Sequence, residues 1–501
     1  MLNMNFFSLV NQYFLGLQTY NQAIEEERIL KLLFCRKNME IVDWNTLPSL
    51  VLHQIFKYLL PESRLAASSI CKNWRSALYH PQFWHHIDLN ITTISNNDIK
   101  SKVQYINSCI VPLVQNIRIS VDPFNLECLK LTVSTIDALL DNHLLKTIDI
   151  EIGYYTMTRN ENLFKNSSNK MYMMTLQNYL ENGILKVLQR KNFEEFGFGF
   201  IQFLYWHDLI HMLAKYSNHS MKRLEITGLN STFSNKITNY TCITNSTLNN
   251  LTLLTNLQKL SLDYNSNTCN LLPALYTMSH LEILSLRILK KINFEINDNI
   301  WLNLKKNCPK LGLRLTIINC KSAVKKLHRK LLCPSMPLTH LQVLFCNMVN
   351  VQVLRKLLDY RNTLQSLIWV DEHSNNPTSL LEGHWHIDRF GGDIETNPLI
   401  ILSWVCSKLS ELVVFGYFME TVDVCGIARL RGTNLKRFEL LEEDICFNRP
   451  WSVMIFDDVV KDVSKWMGKN WKPLSKENVF VNHSLSHLKT SHYTLKYISN
   501  C

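Results

Sequence analysis

Two histidines in the segment His207-Asp208-Leu209-Ile210-His211 have a spacing that could hold a metal ion. Residues four apart lie on one face of a helix, and zinc proteases use this spacing with a glutamate directly after the first histidine. Here Asp208 takes the place of that glutamate, its side chain is one methylene shorter, and no third ligand is evident. The segment therefore predicts a water-facing helix side more strongly than a zinc centre.

A second histidine pair lies in a polar segment, Glu382 to Asp388, which contains His384 and His386. Imidazole and carboxylate groups are common zinc ligands, so Asp388 or Asp393 could complete a site. Such a segment is more often an insertion that contacts a partner or contacts nothing. We therefore predict no metal ion here.

The remaining sequence contains no arrangement typical of an enzyme. Gly197 and Gly199 lack the third glycine and the strand–helix setting of a dinucleotide site. They fit a strand with close backbone contacts instead. No Ser-His-Asp, Cys-His or paired-carboxylate motif is present, so the sequence predicts a non-catalytic protein that needs no cofactor.

The composition is that of a folded chain without a membrane span. The 501 residues are 46% hydrophobic and 10% aromatic, and no run of eighteen apolar residues occurs. The fourteen cysteines form no C-x-x-C motif, which favours buried thiols in a reducing compartment. We therefore expect a location in the cytoplasm, the nucleus or both. Residues 1–42 have no basic signal-peptide start, and we expect an extra helix or a disordered arm there.

The net charge of +11 is concentrated in a few segments. The densest one contains Lys321, Lys325, Lys326, Arg329 and Lys330. Such a cluster attracts acidic proteins or nucleic acid. A solvated outer helix face is the more common explanation.

Residues 43–84 contain three short amphipathic patterns that predict three helices. Leu47-Pro48 opens a helix whose Val51, Leu52 and Ile55 recur on one side. Pro61 ends this helix, a second one follows it, and a third contains Trp74. A unit of about forty residues rarely buries this much apolar surface alone, so part of it is expected to face another protein.

These residues resemble the F-box. The order of Leu-Pro, several apolar pairs, Ile70-Cys71-Lys72-Asn73-Trp74 and Phe83-Trp84 matches that family. Leu50 and Ser63 stand where the family often has acids. The resemblance implies docking on the adaptor subunit of SCF (Skp–cullin–F-box) ubiquitin ligases, and through it on a cullin. The expected docking residues, some of which must instead pack the core, are Leu47, Pro48, Val51, Leu52, Ile55, Leu59, Ile70, Cys71, Trp74 and Trp84.

From Trp84 onward an L-x-x-L-x-L pattern recurs, at first about every 30 residues. It predicts leucine-rich repeats over 85–447, with insertions before Phe196 and Leu412. The fold class is therefore α + α/β: a three-helix F-box followed by an irregular leucine-rich-repeat (α/β) solenoid. The copies are Trp84/Ile87/Leu89, Val114/Ile117/Ile119, Leu145/Ile148/Ile150, Phe193/Phe196/Phe198, Met221/Leu224/Ile226, Leu257/Leu260/Leu262, Leu281/Leu284/Leu286, a weaker one at Leu311 to Ile317, Leu341/Leu344/Cys346, Leu364/Leu367/Trp369, Leu409/Leu412/Val414 and Leu435/Phe438/Leu440.

The last repeats add a second resemblance. Residues 397–447, including NPLIILSWVCSKLSELVVFGY and LKRFELLEEDICF, are similar to the C-terminal repeats of one particular F-box protein. The tail, residues 448–501, is expected to pack on the solenoid or to extend it.

The residues between the repeat leucines should form the concave face of the solenoid. On the later strands these residues are apolar, which predicts a protein-binding patch. The alternative is that helices or the tail, with Trp451, Trp466 and Trp471, cover this patch internally. The expected substrate-binding residues are Val343, Phe345, Ile368, Val370, Val413 and Phe415.

The resemblance and the repeats together predict a substrate-recognition subunit of an SCF ubiquitin ligase complex. In this hypothesis the F-box docks on the adaptor, and the repeats recruit an unidentified protein for ubiquitination. The alternative is a repeat scaffold that binds nucleic acid or an acidic protein through its basic helices, without a degradation role. Nucleic acid is the less favoured partner.

Overall fold

The structure is a computed structural model that describes residues 44–91, 97–121, 125–152, 167–189, 193–199, 205–227, 245–264, 270–289, 295–371, 397–446 and 455–475. The chain divides into two compact units, Met1–Phe83 and Trp84–Cys501. Each unit is described separately below.

The described part of the first unit consists of three short helices, as the F-box resemblance predicts. They are α1 (Ser49–Tyr58), α2 (Pro61–Ser68) and α3 (Lys72–Leu78), with 3-10 turns at Trp44–Thr46 and Pro81–Phe83. Pro48 and Pro61 stand at the starts of α1 and α2, where a missing N–H costs nothing.

An aromatic core holds these helices together. The Phe56 ring lies 5.8 Å, centroid to centroid, from both Trp74 and Phe83. The indole Nε1 of Trp74 donates a hydrogen bond to the Trp44 carbonyl at 2.8 Å. Arg64 donates to the Phe56 carbonyl at 2.8 Å and to the Phe83 carbonyl at 2.7 Å. These bonds join the end of α1 to the last turn of the unit.

In its described residues, the second unit contains a parallel sheet of twelve strands, in the order β1 to β11 followed by β13. The strands are β1 (His86–Ile91), β2 (Asn116–Val121), β3 (Thr147–Ile152), β4 (Glu195–Gly199), β5 (Arg223–Ile226), β6 (Lys259–Asp263), β7 (Ile283–Ile288), β8 (Gly312–Ile318), β9 (Leu338–Leu344), β10 (Ser366–Val370), β11 (Glu411–Phe415) and β13 (Arg437–Leu440). A separate parallel pair is formed by β12 (Met419–Glu420) and β14 (Ile445–Cys446).

Helices connect successive strands, which is the arrangement that parallel pairing requires. The α-helices of the described second unit are α4 (Asn97–Cys109), α5 (Leu126–Leu139), α6 (Ser167–Leu188), α7 (Trp206–Tyr216), α8 (Asn245–Thr252), α9 (Leu271–Ala274), α10 (Asp298–Asn307), α11 (Lys321–Lys330), α12 (Val351–Lys356), α13 (Pro398–Val405), α14 (Thr421–Arg431) and α15 (Phe456–Met467). Short 3-10 turns lie at Val111–Leu113, Leu275–Thr277, Leu357–Tyr360, Gly432–Asn434 and Glu442–Asp444.

The repeat leucines form continuous buried rows across the sheet. Leu260 pairs with Leu284, and Leu262 pairs with Leu286, in neighbouring strands. These side chains are buried, as are their equivalents from Ile87 to Leu440. The alternate residues of each strand point to the other side of the sheet, here called the front face, which corresponds to the predicted concave face. The predicted repeat solenoid is therefore confirmed.

The predicted frame of one repeat is wrong by three residues. In β9 the row positions belong to Leu341 and Val343, which pair with Leu367 and Trp369. Leu344 is therefore a front-face residue. The error arises because the L-x-x-L-x-L pattern fits this segment both as Leu338/Leu341/Val343 and, three residues further along, as Leu341/Leu344/Cys346.

The tail packs on the last repeat within residues 455–475. Helix α15 contacts α14, and the Trp471 ring stacks on Phe438 with centroids 5.7 Å apart. The Leu474 N–H donates to the Leu440 carbonyl at 2.8 Å. These contacts cover the edge that β13 presents. Trp451 lies outside the described residues.

The described cysteines are all free thiols, and most of them are buried. Within the described ranges, no helix combines the length and apolarity needed to cross a membrane.

Candidate docking surfaces

The structure divides the predicted F-box docking residues into core and surface. Leu47, Leu52 and Trp74 are buried in the first unit, and Trp84 is buried in the second. These four are therefore the members of the predicted set that pack a core, as was expected for some of them, and the docking role of the set stays a prediction.

The other predicted docking residues remain accessible. Pro48 and Ile70 are exposed, and the rest are partly exposed: Val51, Ile55, Leu59 and Cys71. Val51 and Ile55 are four residues apart on α1, so they share one face of that helix. This face lies about 100° around α1 from the buried face that carries Leu52 and Phe56.

Three more apolar residues of this unit are exposed and were missed by the sequence reasoning. Leu50 is 77% exposed, Leu60 60% and Tyr58 52%, beside Ile70 at 47%. The signal was present for Tyr58, which follows Val51 by seven residues and therefore continues its stripe. We name Leu50, Val51, Ile55, Tyr58, Leu60 and Ile70 the F-box surface. A unit this small that leaves so many large apolar side chains in water is suited to binding another protein.

The front face of strands β3 to β5 carries a compact charge network. Arg223 Nη2 donates to the Asp149 carboxylate at 2.7 Å, and Nε donates to Glu195 at 2.8 Å. Arg223 Nη1 lies 3.2 Å from Glu225 Oε2. One guanidinium therefore serves three carboxylates on three strands.

The network depends on Gly197 and on burial. A Cβ at Gly197 would clash with the Asp149 carboxylate, so glycine leaves the room that the Arg223–Asp149 pair needs to cross β4. Burial, with a smaller contribution from Asp149, raises the pKa of Glu225 although Arg223 opposes the shift. Negative charge at this site thus exceeds the positive charge that Arg223 supplies. Gly197 lies in a strand, as predicted, but its close neighbours are the side chains of Asp149 and Arg223.

The predicted apolar substrate patch on the later strands is not exposed. Phe345, Ile368, Val370, Val413 and Phe415 form one buried cluster on the front face, together with Ile318, Leu344 and Leu441. Val343 is buried in the leucine rows instead. Leu474 of the tail packs against the cluster. The burial of these six residues agrees with the alternative expectation that the patch is covered internally, and their substrate-binding role stays an untested prediction.

The buried carboxylate of Asp371 lies directly after β10, next to this cluster. Asp371 accepts hydrogen bonds from the backbone N–H groups of Asn347 at 2.8 Å and Met348 at 3.3 Å, and from the Tyr417 hydroxyl. Gly416 has φ +86°, and a Cβ there would clash with the Asp371 carbonyl. Burial raises the pKa of Asp371 to about 6, although these hydrogen bonds oppose the shift.

Asp371→Asn is expected to change how stability depends on pH. The folded-state pKa of about 6 exceeds the ordinary value of 3.8, so ionisation destabilises the fold above pH 6. That loss is recovered as pH falls from 6 towards 4, and amounts to ~3 kcal/mol. In urea unfolding, the free energy of unfolding of the parent should increase by this amount relative to the variant as pH falls from 7 to 4. Parallel pH profiles would contradict the assignment.

The histidine candidates do not form a metal site in the described residues. His207 and His211 are exposed on α7, and His207 Nδ1 lies 2.7 Å from the Thr247 hydroxyl. Within the described ranges, no group of three metal-ligating side chains occurs. His384, His386, Asp388 and Asp393 lie outside those ranges.

The first unit and the repeats together define an F-box-like domain followed by a leucine-rich-repeat-type solenoid. Residues 44–90 match the F-box-like family. This match agrees with the three helices and extends into the first strand of the solenoid.

Similarity to known proteins extends beyond the F-box. Human F-box only protein 33 is 23% identical over 483 residues, which cover 85% of this chain and 82% of that protein. Mouse F-box/LRR-repeat protein 21 is 34% identical over 61 residues, which cover 12% of this chain and 14% of that protein. A chain in the crystal structure of the yeast Rad7–Elc1 complex has a TM-score of 0.33 and 12% identity, with 92% and 99% coverage.

Proposed function

We propose that this protein is the substrate-recognition subunit of an SCF ubiquitin ligase complex. The observation that carries the proposal is the F-box surface, a set of exposed apolar side chains on a unit that matches the F-box-like family. In this proposal the surface docks on the adaptor subunit, which in turn binds a cullin.

The energetics of the first unit support a docked state. Burying one large aliphatic side chain contributes about 1.5–3 kcal/mol. Leu50, Leu60 and Ile70 are each exposed in the described unit, so a partner that covers them gains several such contributions. The buried aromatic core around Phe56 keeps these side chains in place before binding, which lowers the entropy cost of association.

The repeat unit would act by proximity and not by chemistry. Holding a substrate lysine close to a charged ubiquitin-conjugating enzyme raises its effective concentration, so no catalytic residue is required on this chain. In this proposal the solenoid recruits a protein for ubiquitination in the cytoplasm, the nucleus or both.

The test is a binding titration of the full chain with the SCF adaptor subunit, beside the variant Leu60→Asp/Ile70→Asp. We expect the parent to bind and the variant to lose at least about 100-fold in affinity, because two desolvated apolar contacts become charged. Both side chains are exposed in the free protein, so the variant should remain folded.

Leu253→Asp/Leu302→Asp is the matched control. These leucines are 52% and 49% exposed but belong to the repeat unit, and their replacement should leave the affinity within about 2-fold. A folded parent that does not bind, or an unchanged Leu60→Asp/Ile70→Asp variant, would refute adaptor docking through this surface.

A further inference from the structure

The outer side of helix α11 carries a regular stripe of positive charge. Lys321, Lys325 and Arg329 are exposed at positions i, i+4 and i+8. On the opposite side of the helix, Ala323, Val324 and Leu327 are buried. The stripe is about 12 Å long, given a rise of 1.5 Å per residue.

This arrangement disfavours the helix itself. Like charges four residues apart repel each other, and Lys321 lies in the first turn, where the helix dipole disfavours a cation. The helix contains no acidic residue. Arg329 lies in the last turn, where the dipole favours a cation, so the charges that are unfavourable for α11 are those of Lys321 and Lys325.

The neighbouring charges leave the stripe unneutralised. Lys330 pairs with Glu295 at 3.2 Å, and Lys356 on α12 pairs with Asp359 at 2.7 Å. Within the described residues, Lys321, Lys325 and Arg329 have no acidic partner within 4.0 Å. We name Lys321, Lys325, Lys326 and Arg329 the α11 basic surface.

His328 adds no charge to the stripe. Burial, and secondarily the charge of Arg329, lowers its pKa. Arg329 Nε donates to His328 Nε2 at 3.1 Å, which requires that nitrogen to be unprotonated.

We propose that the α11 basic surface binds an acidic segment of a protein partner. Carboxylates at i, i+4 and i+8 of a helix have the same spacing as the three cations, so two turns of an acidic helix match the stripe. This proposal does not depend on F-box docking, because it concerns a different unit of the chain.

The packing around α11 favours a protein segment over duplex nucleic acid. Helix α12 packs beside α11, and Asn350 at its start donates to the Val324 carbonyl at 3.0 Å. Two helices side by side are too wide for a major groove of about 12 Å. The described residues of α11 and α12 include no Phe, Tyr or Trp that could stack on a base.

The test measures binding of two probes to the full chain by fluorescence anisotropy. The first is a helical peptide of about 15 residues with glutamate at i, i+4 and i+8, and the second is a short DNA duplex.

We expect the peptide to bind the parent, and Lys321→Glu/Lys325→Glu/Arg329→Glu to weaken its binding at least about 10-fold. The milder Lys321→Gln/Lys325→Gln/Arg329→Gln variant should give a smaller loss in the same direction. The glutamine variant removes the like-charge repulsion without introducing new charges, so it should not lower the thermal unfolding midpoint.

Lys215→Glu/Lys408→Glu/Lys436→Glu is the control, because it makes the same charge change at exposed sites outside α11. An equal loss in this control would show general attraction of a basic protein and would overturn the proposal. Tighter binding of the duplex than of the peptide, with the same dependence on the three α11 residues, would also overturn it. Absence of peptide binding at about 50 mM salt, where such contacts are strongest, would do so as well.

Discussion

Arg223→Met is expected to lower the free energy of unfolding of the repeat unit by about 3–5 kcal/mol. The guanidinium is the cation shared by Asp149, Glu195 and Glu225, at distances of 2.7 to 3.2 Å. Methionine fills a similar volume but supplies no donor. The variant therefore leaves three partly buried carboxylates in mutual repulsion, which costs more than the loss of a surface ion pair.

The pH dependence of this loss identifies its cause. Burial already raises the pKa of Glu225 in the parent and Arg223 opposes that shift, so the variant should raise this pKa further. Ionisation of Glu225 then destabilises the variant near pH 7, and stability returns as pH falls through the raised folded-state pKa. Denaturant unfolding of the full chain at several pH values measures this, with a spectroscopic probe in the repeat unit because two units need not unfold together.

Arg118→Met is the matched control for Arg223→Met. Arg118 is exposed on β2 and lies on the same face of the sheet, so its replacement should change stability by less than about 0.5 kcal/mol. If Arg223→Met and Arg118→Met were equally stable at pH 7, the Arg223 network would contribute no more to stability than exposed surface charges do, and the prediction would be wrong.

The rows of the solenoid could be predicted because the same short apolar spacing recurs within each strand, although the intervals between strands vary. Phe196/Phe198 and Leu260/Leu262 lie in the predicted strands. Each pair can be recognised from the sequence of its own strand, without knowledge of the neighbouring strands. The assignment of the row positions in β9 was wrong because the sequence of that strand alone is ambiguous. Leu338, Leu341 and Leu344 offer two fits to the pattern, and the pairing of β9 with β10 decides between them.

The charge network and the front-face cluster could not be predicted from local patterns. Asp149 and Arg223 are 74 residues apart in sequence, and their contact depends on Gly197 between them. The burial of Phe415 likewise depends on tertiary packing, in which Leu474 of the tail takes part. Alternation along a strand indicates which face a side chain occupies, but not whether another segment covers that face.

The F-box shows a similar limit at smaller scale. The apolar pattern correctly indicated three helices and a surplus of apolar surface. It could not assign Leu52 to the core and Leu50 to the surface, because both lie in the first turn of α1 and both are leucine. Leu52 is buried because the side of α1 that carries Phe56 packs against Trp74 and Phe83.

Trp74→Ala is expected to destabilise the F-box unit by about 3–5 kcal/mol. Trp74 is 2% exposed, packs against Phe56 and donates a hydrogen bond to the Trp44 carbonyl at 2.8 Å. A unit this small has little stability in reserve, so the variant should lose its helices near 25 °C. The repeat unit should unfold at the same denaturant concentration as in the parent. Trp74→Phe keeps most of the ring packing and should cost much less.

Adaptor titrations can separate this core role from a direct contact. Under the proposed docking, binding would be coupled to folding in Trp74→Ala, so saturating adaptor should restore the helices by mass action, with an affinity lowered by the cost of folding. Leu60→Asp/Ile70→Asp should instead stay folded without the adaptor and gain no helix when the adaptor is added. Circular dichroism, corrected for the free adaptor, distinguishes the two cases. If Trp74→Ala kept its helices and lost only affinity, Trp74 would be a contact residue, and the division between core and surface drawn from its burial would be wrong.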